Sequence, residues 1–101
     1  MKNIHDNYAD MLYKAVLQLK DIDECRRFFD DLCTISELRS MSQRVEVAHM
    51  LYEKKVYTDI AETTGASTAT ISRVNKCLNY GENGYNLVLK RLKETENGKL
   101  Q

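Results

Sequence analysis

Apolar residues recur at intervals of three and four positions along the first third of the chain. Such spacing places side chains on one face of an α-helix. It predicts a first helix over residues 8–19 and a second one capped by Asp21. The residues expected to face inward are Tyr8, Met11, Leu12, Ala15, Val16 and Leu19 in the first helix and Ile22, Cys25, Phe28, Phe29, Leu32 and Cys33 in the second.

Two further helices are expected between residues 34 and 55. The Thr34–Glu37 segment has the form of a capping box, which predicts that a short helix begins there. Another helix is predicted to start near Ser40 or Ser42, with apolar residues on more than one face. The apolar residues that lie off its main stripe are Val47, Met50 and Tyr52. Because neighbours must cover such a helix on several sides, and because Phe28 and Phe29 cannot both point into one small core, the pattern favours a homodimer.

The segment from Tyr57 to Asn79 has the spacing of a helix-turn-helix. Counting Tyr57 as position one, an apolar residue stands at position four, alanine at five, glycine at nine, and apolar residues at fifteen and eighteen. Alanine lets the two helices cross closely, and glycine suits a sharp turn that needs a left-handed backbone. The residues at these positions are Ile60, Ala61, Gly65, Ile71 and Val74, and Leu78 continues the inner stripe.

The ends of the two motif helices can also be predicted. Thr58 is expected to cap the first helix, and Ser67 or Thr68 the second. Thr64 departs from the usual pattern, since position eight more often holds an apolar residue; its methyl group can serve in that role.

The outer face of the second motif helix is the candidate DNA-contacting surface. The stretch from Gly65 to Gly81 contains Arg73 and Lys76 but no acidic residue. Small residues and hydroxyls at a helix N-terminus can approach base edges in the major groove, while arginine and lysine reach guanine or phosphate. The candidate reading edge begins at Ser67, with base contacts expected from Thr68, Ala69, Thr70 and Ser72 and phosphate contacts from Lys54, Lys55, Arg73 and Lys76.

Composition places the chain in the all-α class. It has 101 residues, enough for one domain, with no proline and four glycines among many helix-forming residues. We expect about six helices: dimerisation helices within residues 1–53, the helix-turn-helix at 57–79 and a closing helix at 84–95. Residues 95–101 have little to bury and are expected to fray.

Charge is unevenly distributed, although the formal net charge is zero. Residues 65–101 carry six basic and three acidic side chains, which favours a polyanionic partner for this part of the chain. The alternative is a protein-interaction module that has the helix-turn-helix shape without reading DNA. Its support is the neutral net charge and the acidic N-terminal third.

The sequence lacks the patterns of a catalytic or metal site. Its three cysteines form no CxxC pair, His5 and His49 are isolated, and the acidic residues lie in no catalytic motif. We therefore expect reduced thiols, no enzymatic activity, no metal and no cofactor. The N-terminus is too polar for a signal peptide, and no apolar run approaches the ~20 residues of a membrane span, so a cytoplasmic protein without a membrane partner is expected.

The stretch from Asp31 to Gly81 resembles the Trp repressor superfamily, most closely its small YerC/YecD-type subgroup. The most specific parts are GASTATISRV and SQRVEVAHML, and the resemblance extends over roughly Leu12 to Leu92. It implies a six-helix, intertwined homodimer in which the N-terminal helices of one subunit pack around the other. It also implies a transcription regulator, expected to be a repressor, whose two reading heads contact double-stranded DNA at a dyad-symmetric operator.

The resemblance also bears on a possible effector pocket. In the tryptophan-responsive relative, two arginines hold the corepressor, and they match Arg44 and Arg73 here. The glycine that follows the second arginine in that relative is Val74 in this chain, and the loop before the motif is one residue shorter. Because a valine should fill part of the space for the indole, we expect no obligatory L-tryptophan. Arg44 can equally pair with a nearby carboxylate: Glu37, Glu46 or Glu53.

Overall fold

The computed structural model describes residues 7–98, and every regular element in that range is an α-helix. The helices are α1 (Asn7–Val16), α2 (Ile22–Leu32), α3 (Ile35–Tyr52), α4 (Tyr57–Thr64), α5 (Thr68–Tyr80) and α6 (Gly84–Gly98). The predicted all-α class with about six helices is therefore confirmed. None of these helices is both long and apolar enough to cross a membrane.

α3 is one continuous helix of 18 residues, and the expected start of a separate helix at Ser40 or Ser42 is wrong. Its beginning is as predicted: the Glu37 N–H donates to the Thr34 hydroxyl at 3.1 Å, and the Thr34 N–H donates to the Glu37 carboxylate at 2.8 Å. The helix then continues because it contains neither glycine nor proline. The Ser40 hydroxyl accepts a hydrogen bond from the Arg44 guanidinium at 2.9 Å instead of capping a new helix.

Other helix ends partly match the predictions. Asp21 caps α2, and Ser67 caps α5. α4 begins at Tyr57 behind Val56, with no side-chain cap, so the expected cap at Thr58 is wrong. α1 ends at Val16, before the predicted limit of 19, and α6 continues to Gly98, past the expected end at 95. The rest of the tail that was expected to fray, residues 99–101, lies outside the described range.

The chain divides between Arg39 and Ser40 into two compact units. The N-terminal unit, described here over residues 7–39, contains α1, α2 and the start of α3, and none of its described side chains is buried. Tyr8 is 91% exposed and Ile22 67% exposed. Phe28 and Phe29 are half-buried and contact each other edge to face, with ring centroids 5.5 Å apart. Of the twelve apolar residues predicted to face inward, seven are half-buried, five are exposed and none is fully buried within this chain.

The C-terminal unit, residues 40–98, has a closed apolar core. Its buried residues come from α3, α4, the following turn, α5 and α6: Val47, Ala48, Ile60, Ala66, Ile71, Val74 and Leu89. Partly buried side chains surround them: Met50, Leu51, Tyr52, Ala61, Leu78 and Tyr85. The residues predicted as the inner stripe of the helix-turn-helix, Ile60, Ala61, Ile71, Val74 and Leu78, lie in this core or pack against it.

One part of the sequence-based argument for a homodimer is wrong. Val47 is fully buried by its own chain, and Met50 and Tyr52 pack against the same core. The burial of Val47 therefore needs no second subunit. Of the fifteen large apolar side chains that are exposed in the described range, eight lie in the N-terminal unit.

Candidate nucleic-acid interface

The turn between α4 and α5 has the left-handed geometry that the sequence predicts. Gly65 ends α4 with φ 73° and ψ 6°, and its N–H donates to the Ala61 carbonyl oxygen at 2.9 Å. A side chain at this φ would be strained, whereas glycine adopts it readily. The next residue, Ala66, is buried in the core and anchors the turn.

Thr64 organises the same turn through its hydroxyl. The hydroxyl donates to the Ile60 carbonyl oxygen at 2.7 Å and accepts a hydrogen bond from the Ala66 N–H at 3.1 Å. This explains the polar residue at position eight of the motif, where the sequence analysis assigned a role to the methyl group alone. The hydroxyl satisfies an N–H in the turn that an apolar residue would leave without this partner.

Ser67 fixes the start of α5. Its hydroxyl oxygen accepts from the Thr70 N–H at 3.1 Å, and its proton is donated to the Thr70 hydroxyl oxygen at 3.1 Å. Thr70 is half-buried, and because its hydroxyl accepts from Ser67, its own proton is left to donate outward. The cap therefore orients one side chain of the candidate reading edge.

The remaining candidate DNA-contacting residues are solvent-exposed. On α5 and its cap, the exposed members are Ser67, Thr68, Ala69, Ser72, Arg73 and Lys76; Lys54 and Lys55 are exposed in the segment between α3 and α4. All belong to the C-terminal unit. The exposed edge of α5 has no acidic side chain in its first turn. Hydroxyls and a methyl group lie at the N-terminal, positive end of the α5 dipole, and the cations Arg73 and Lys76 follow in the second and third turns of the helix, a combination that suits an anion.

Lys54 has a backbone conformation that the sequence did not predict. Its φ is 65°, in the left-handed region. Its N–H donates to the Leu51 carbonyl oxygen, and the Lys55 N–H donates to the Met50 carbonyl oxygen, each at 3.0 Å. This is the Schellman arrangement, in which glycine usually occupies the left-handed position. A lysine therefore stands where a glycine would be less strained.

The two residues matched to a corepressor pocket have different surroundings. Arg44 is half-buried and donates to Ser40, while Arg73 is exposed. The carboxylates suggested as partners of Arg44 have other contacts: Glu37 with Thr34, Glu46 with His49, and Glu53 with His49 and Lys93. Val74, next to Arg73, is only 2% exposed and belongs to the core. Its side chain occupies interior space that a glycine would leave open.

Metal-ligating side chains are not clustered in this unit or elsewhere in residues 7–98. No group of three His, Cys, Asp or Glu side chains in the described part of the chain could hold a metal ion. Cys25, Cys33 and Cys77 are free thiols. Cys77 is exposed on α5, so it does not serve as a small core residue there.

Two side-chain amides support the motif and were missed by sequence reasoning. The Gln43 side-chain amide, on α3, donates to the Thr64 carbonyl oxygen at 3.2 Å. The Asn86 side-chain amide, on α6, donates to the Leu78 carbonyl oxygen at 2.8 Å. Each bond joins helices that are distant in sequence or separated by a loop. Local spacing carries no signal for either bond.

Comparison with known proteins identifies the family. The family described as Trp repressor protein matches this chain over residues 7–93. The chain belongs to this family, which consists of regulatory proteins rather than enzymes.

Particular relatives agree with this assignment. The chain is 60% identical over 87 residues to the uncharacterized protein YerC of Bacillus subtilis (strain 168), covering 86% of this chain and 84% of YerC. It is 57% identical to a TrpR-like protein from Eubacterium eligens ATCC 27750, whose crystal structure matches with a TM-score of 0.85 over 89% of this chain and 93% of that one. The crystal structure of a Trp repressor candidate from Staphylococcus aureus is 43% identical, with a TM-score of 0.85 over 89% of this chain and 90% of that one.

Proposed function

We propose that this protein is a transcription regulator, acting as a repressor, that binds double-stranded DNA in a sequence-specific manner through α5. The observation that carries the proposal is the exposed edge from Ser67 to Lys76, which follows the left-handed Gly65 turn and has no acidic residue. An edge of this chemistry on the second helix of a helix-turn-helix suits the major groove. Membership of the Trp repressor family supports the same function.

Different residues of this surface have different proposed roles. Thr68, Ala69, Thr70 and Ser72 read base edges, because short side chains at the start of α5 permit close approach. Arg73, Lys76, Lys54 and Lys55 contact phosphates, because long cationic side chains reach the backbone of the duplex. Ser67 caps α5 and orients Thr70, so it acts on base reading through its neighbour.

The protein acts as a homodimer on a dyad-symmetric operator in this proposal. The support is the N-terminal unit, where apolar side chains on α1 and α2 remain exposed and none is buried. A second copy of the same unit would remove these side chains from water, at a gain of roughly 25 cal/mol per Å² of apolar surface. Two heads related by a two-fold axis then bind two half-sites.

We further propose that L-tryptophan is not required for DNA binding. The supporting observation is Val74, whose buried side chain packs with Ile60 and Ile71 in the core of the motif. Opening a space for an indole ring there would require that side chain to move out of a packed interior, which is costly. Millimolar L-tryptophan is therefore expected to change neither the thermal midpoint nor the affinity for DNA.

Selection of bound duplexes from a random pool tests the DNA-binding function directly, since it gives the recognised sequence and the half-site spacing together. On the selected site, Thr70→Ala should weaken specific binding by about 1–3 kcal/mol. Lys76→Ala should weaken binding to all duplexes and reduce the salt dependence. Thr95→Ala and Lys90→Ala, on α6, are matched controls that should leave binding unchanged.

The proposal has clear contrary outcomes. The protein does not read DNA if its best selected site binds no tighter than random duplex and if neither α5 substitution changes its affinity for DNA. The helix-turn-helix would then serve protein interaction. Sedimentation that shows a stable monomer at micromolar concentration would contradict the homodimer, and increased transcription from a reporter carrying the selected site would contradict the repressor role.

A further inference from the structure

A side chain on α3 holds the turn of the helix-turn-helix. The Gln43 amide nitrogen donates to the carbonyl oxygen of Thr64, the last residue of α4, at 3.2 Å, and the contact is partly buried. The last carbonyls of a helix lack partners inside the helix. Gln43 supplies one of these partners from a residue 21 positions earlier in the chain.

The residue that accepts this hydrogen bond, Thr64, also forms hydrogen bonds within the turn. The Thr64 hydroxyl bonds to Ile60 on one side and to Ala66 on the other. Ala66 is followed directly by Ser67, the cap of α5. A displacement of the Thr64 backbone would therefore move the turn and the start of α5. Gln43 is the side chain that restrains this backbone from outside the motif.

A second amide holds the other end of α5. The Asn86 amide nitrogen, on α6, donates to the carbonyl oxygen of Leu78 at 2.8 Å in a partly buried contact. The two bonds have the same chemistry, a neutral side-chain amide bound to a carbonyl near a helix end. Leu78 lies ten residues after Thr68, about 15 Å along the helix from the reading edge.

We propose that Gln43 is a positioning residue that fixes the reading helix to α3, with Asn86 holding the opposite end of α5 in a secondary role. This inference rests on the proposed function. If the two copies associate through the N-terminal helices, the distance between the two reading helices depends on how firmly each motif is held to its own α3. Gln43 therefore determines how strictly the protein discriminates the spacing between half-sites.

The test uses the full chain with Gln43→Leu, which keeps the approximate size and removes the donor, and Gln43→Glu, which replaces the donor with an acceptor. Thr34→Ala is the control for a general loss of stability, because it removes a cap hydrogen bond of α3 outside the helix-turn-helix. Each variant is measured by amide hydrogen exchange at Gly65 and Ala66, whose N–H groups donate to Ala61 and Thr64. Its affinity is measured for the selected site and for the same site with the spacer lengthened by a base pair.

For Gln43→Leu we expect faster exchange at these two amides, and an affinity for the selected site reduced about three- to tenfold, the fold-change that corresponds to one lost hydrogen bond. The ratio of the affinity for the selected site to the affinity for the site with the lengthened spacer should fall by a similar factor. The salt dependence of the affinity should stay as in the wild type. Gln43→Glu should act in the same direction and more strongly. Asn86→Leu should change the ratio of the two affinities less than Gln43→Leu does.

A merely structural role would lower stability and leave the spacing ratio unchanged, as expected for Thr34→Ala. If Gln43→Leu matches Thr34→Ala in both exchange and spacing ratio, the positioning role is wrong. Failure of the wild-type protein to prefer any DNA sequence would instead overturn the proposed function. The exchange measurement then decides about Gln43 alone: faster exchange confined to the turn supports its role, and unchanged exchange refutes it.

Discussion

Both units of this chain are rich in apolar side chains, but only the C-terminal unit buries them. In residues 40–98 a core of seven apolar residues joins four helices and a turn, whereas no described side chain of residues 7–39 is buried. α1 and α2 have 10 and 11 residues. Helices of that length are marginal in water on their own. The described side chains of α1 and α2 thus form no buried core that would stabilise these helices.

The hydrogen bonds and the ion pair in the described part of the N-terminal unit are local. Asp21 accepts the Glu24 N–H at 2.8 Å, Thr34 and Glu37 form a reciprocal cap, and Arg27 lies 3.9 Å from Asp23 in an exposed ion pair. Exposed pairs of that kind contribute little. Caps define where helices begin, but they do not hold one helix against another. The helix-turn-helix thus has its own core, whereas the N-terminal unit leaves apolar side chains of α1 and α2 exposed.

The largest expected difference between the units is in the free energy of unfolding that is lost when isoleucine is replaced by alanine in each. Ile71 is fully buried on α5, and Ile22 is 67% exposed on α2. Ile71→Ala should lower the free energy of unfolding by about 2–5 kcal/mol, because it leaves a cavity in the core. Within a single chain, Ile22→Ala should cost less than about 0.5 kcal/mol. Equilibrium urea denaturation measures both values.

The outcome for Ile22→Ala also tests the homodimer. A larger cost that grows or shrinks with protein concentration would show that a second subunit covers Ile22, because association contributes to stability by mass action. A large cost independent of concentration would contradict the single-chain environment described here. Equal costs for Ile22→Ala and Ile71→Ala at all concentrations would remove the distinction between the units.

A cap deletion should affect both units by a similar amount. Thr34→Ala removes the cap of α3, and Ser67→Ala removes the cap of α5. Each should cost about 1 kcal/mol, because the lost hydrogen bond is local to the helix end and does not depend on a core. Circular dichroism during denaturation gives the values, with Ser42→Ala as an exposed control within α3. A negligible effect at Thr34 would mean that α3 is held by other contacts.

Local features of the fold could be predicted from the sequence, because their causes lie within a few residues. The turn at Gly65, the cap at Ser67 and the inner positions Ile71 and Val74 follow from backbone preferences and helical spacing. The capping box at Thr34 is of the same kind.

Features that depend on distant partners could not be predicted. Val47 lies off the main stripe of α3 in sequence, yet it is fully buried in a core that it shares with residues of α4, α5 and α6. Gln43 and Asn86 bond to carbonyls, and every residue has a carbonyl, so no side-chain pattern marks the acceptor. The left-handed backbone of Lys54 arises where α3 ends and the chain turns toward α4. Its residue type gives no indication of that conformation.

Lys54→Gly should increase stability slightly in the C-terminal unit. The lysine has a φ of 65°, a conformation that costs an L-residue roughly 1 kcal/mol relative to glycine. Glycine also gains more conformational freedom in the unfolded chain, which offsets part of that benefit. We expect a net increase of about 0.5 kcal/mol in the free energy of unfolding, together with weaker DNA binding if Lys54 contacts a phosphate.

Lys54→Ala separates the two effects. It removes the same positive charge but keeps a β-carbon in the left-handed conformation, so it should weaken DNA binding as Lys54→Gly does without the gain in stability. Both variants are measured by denaturation and by affinity over a range of salt concentrations. Unchanged affinity in both would exclude Lys54 from the DNA-contacting surface, and a loss of stability in Lys54→Gly would contradict backbone strain at this position.

The smallest effect on stability is expected from a substitution of Glu37 in the N-terminal unit, and this effect depends on pH. Hydrogen bonds from the Thr34 backbone N–H, and secondarily the contact with its hydroxyl, lower the Glu37 pKa from its ordinary value of 4.5. The pKa of Glu37 is lower in the folded state than in the unfolded state. Ionised Glu37 therefore stabilises the native state fully above the unfolded-state pKa, and this contribution is lost as the pH falls through the folded-state pKa.

Glu37→Gln keeps an oxygen acceptor but does not titrate. The stability difference between wild type and variant should therefore shrink as the pH is lowered from about 6 to about 3, as followed by the urea midpoint at each pH. Thr34→Ala should retain part of this pH dependence, because the backbone N–H remains a donor to the carboxylate after the hydroxyl is gone. A difference that stays constant across this range would show that the charge of Glu37 contributes nothing to the cap of α3, and that the helix start depends on neutral hydrogen bonds alone.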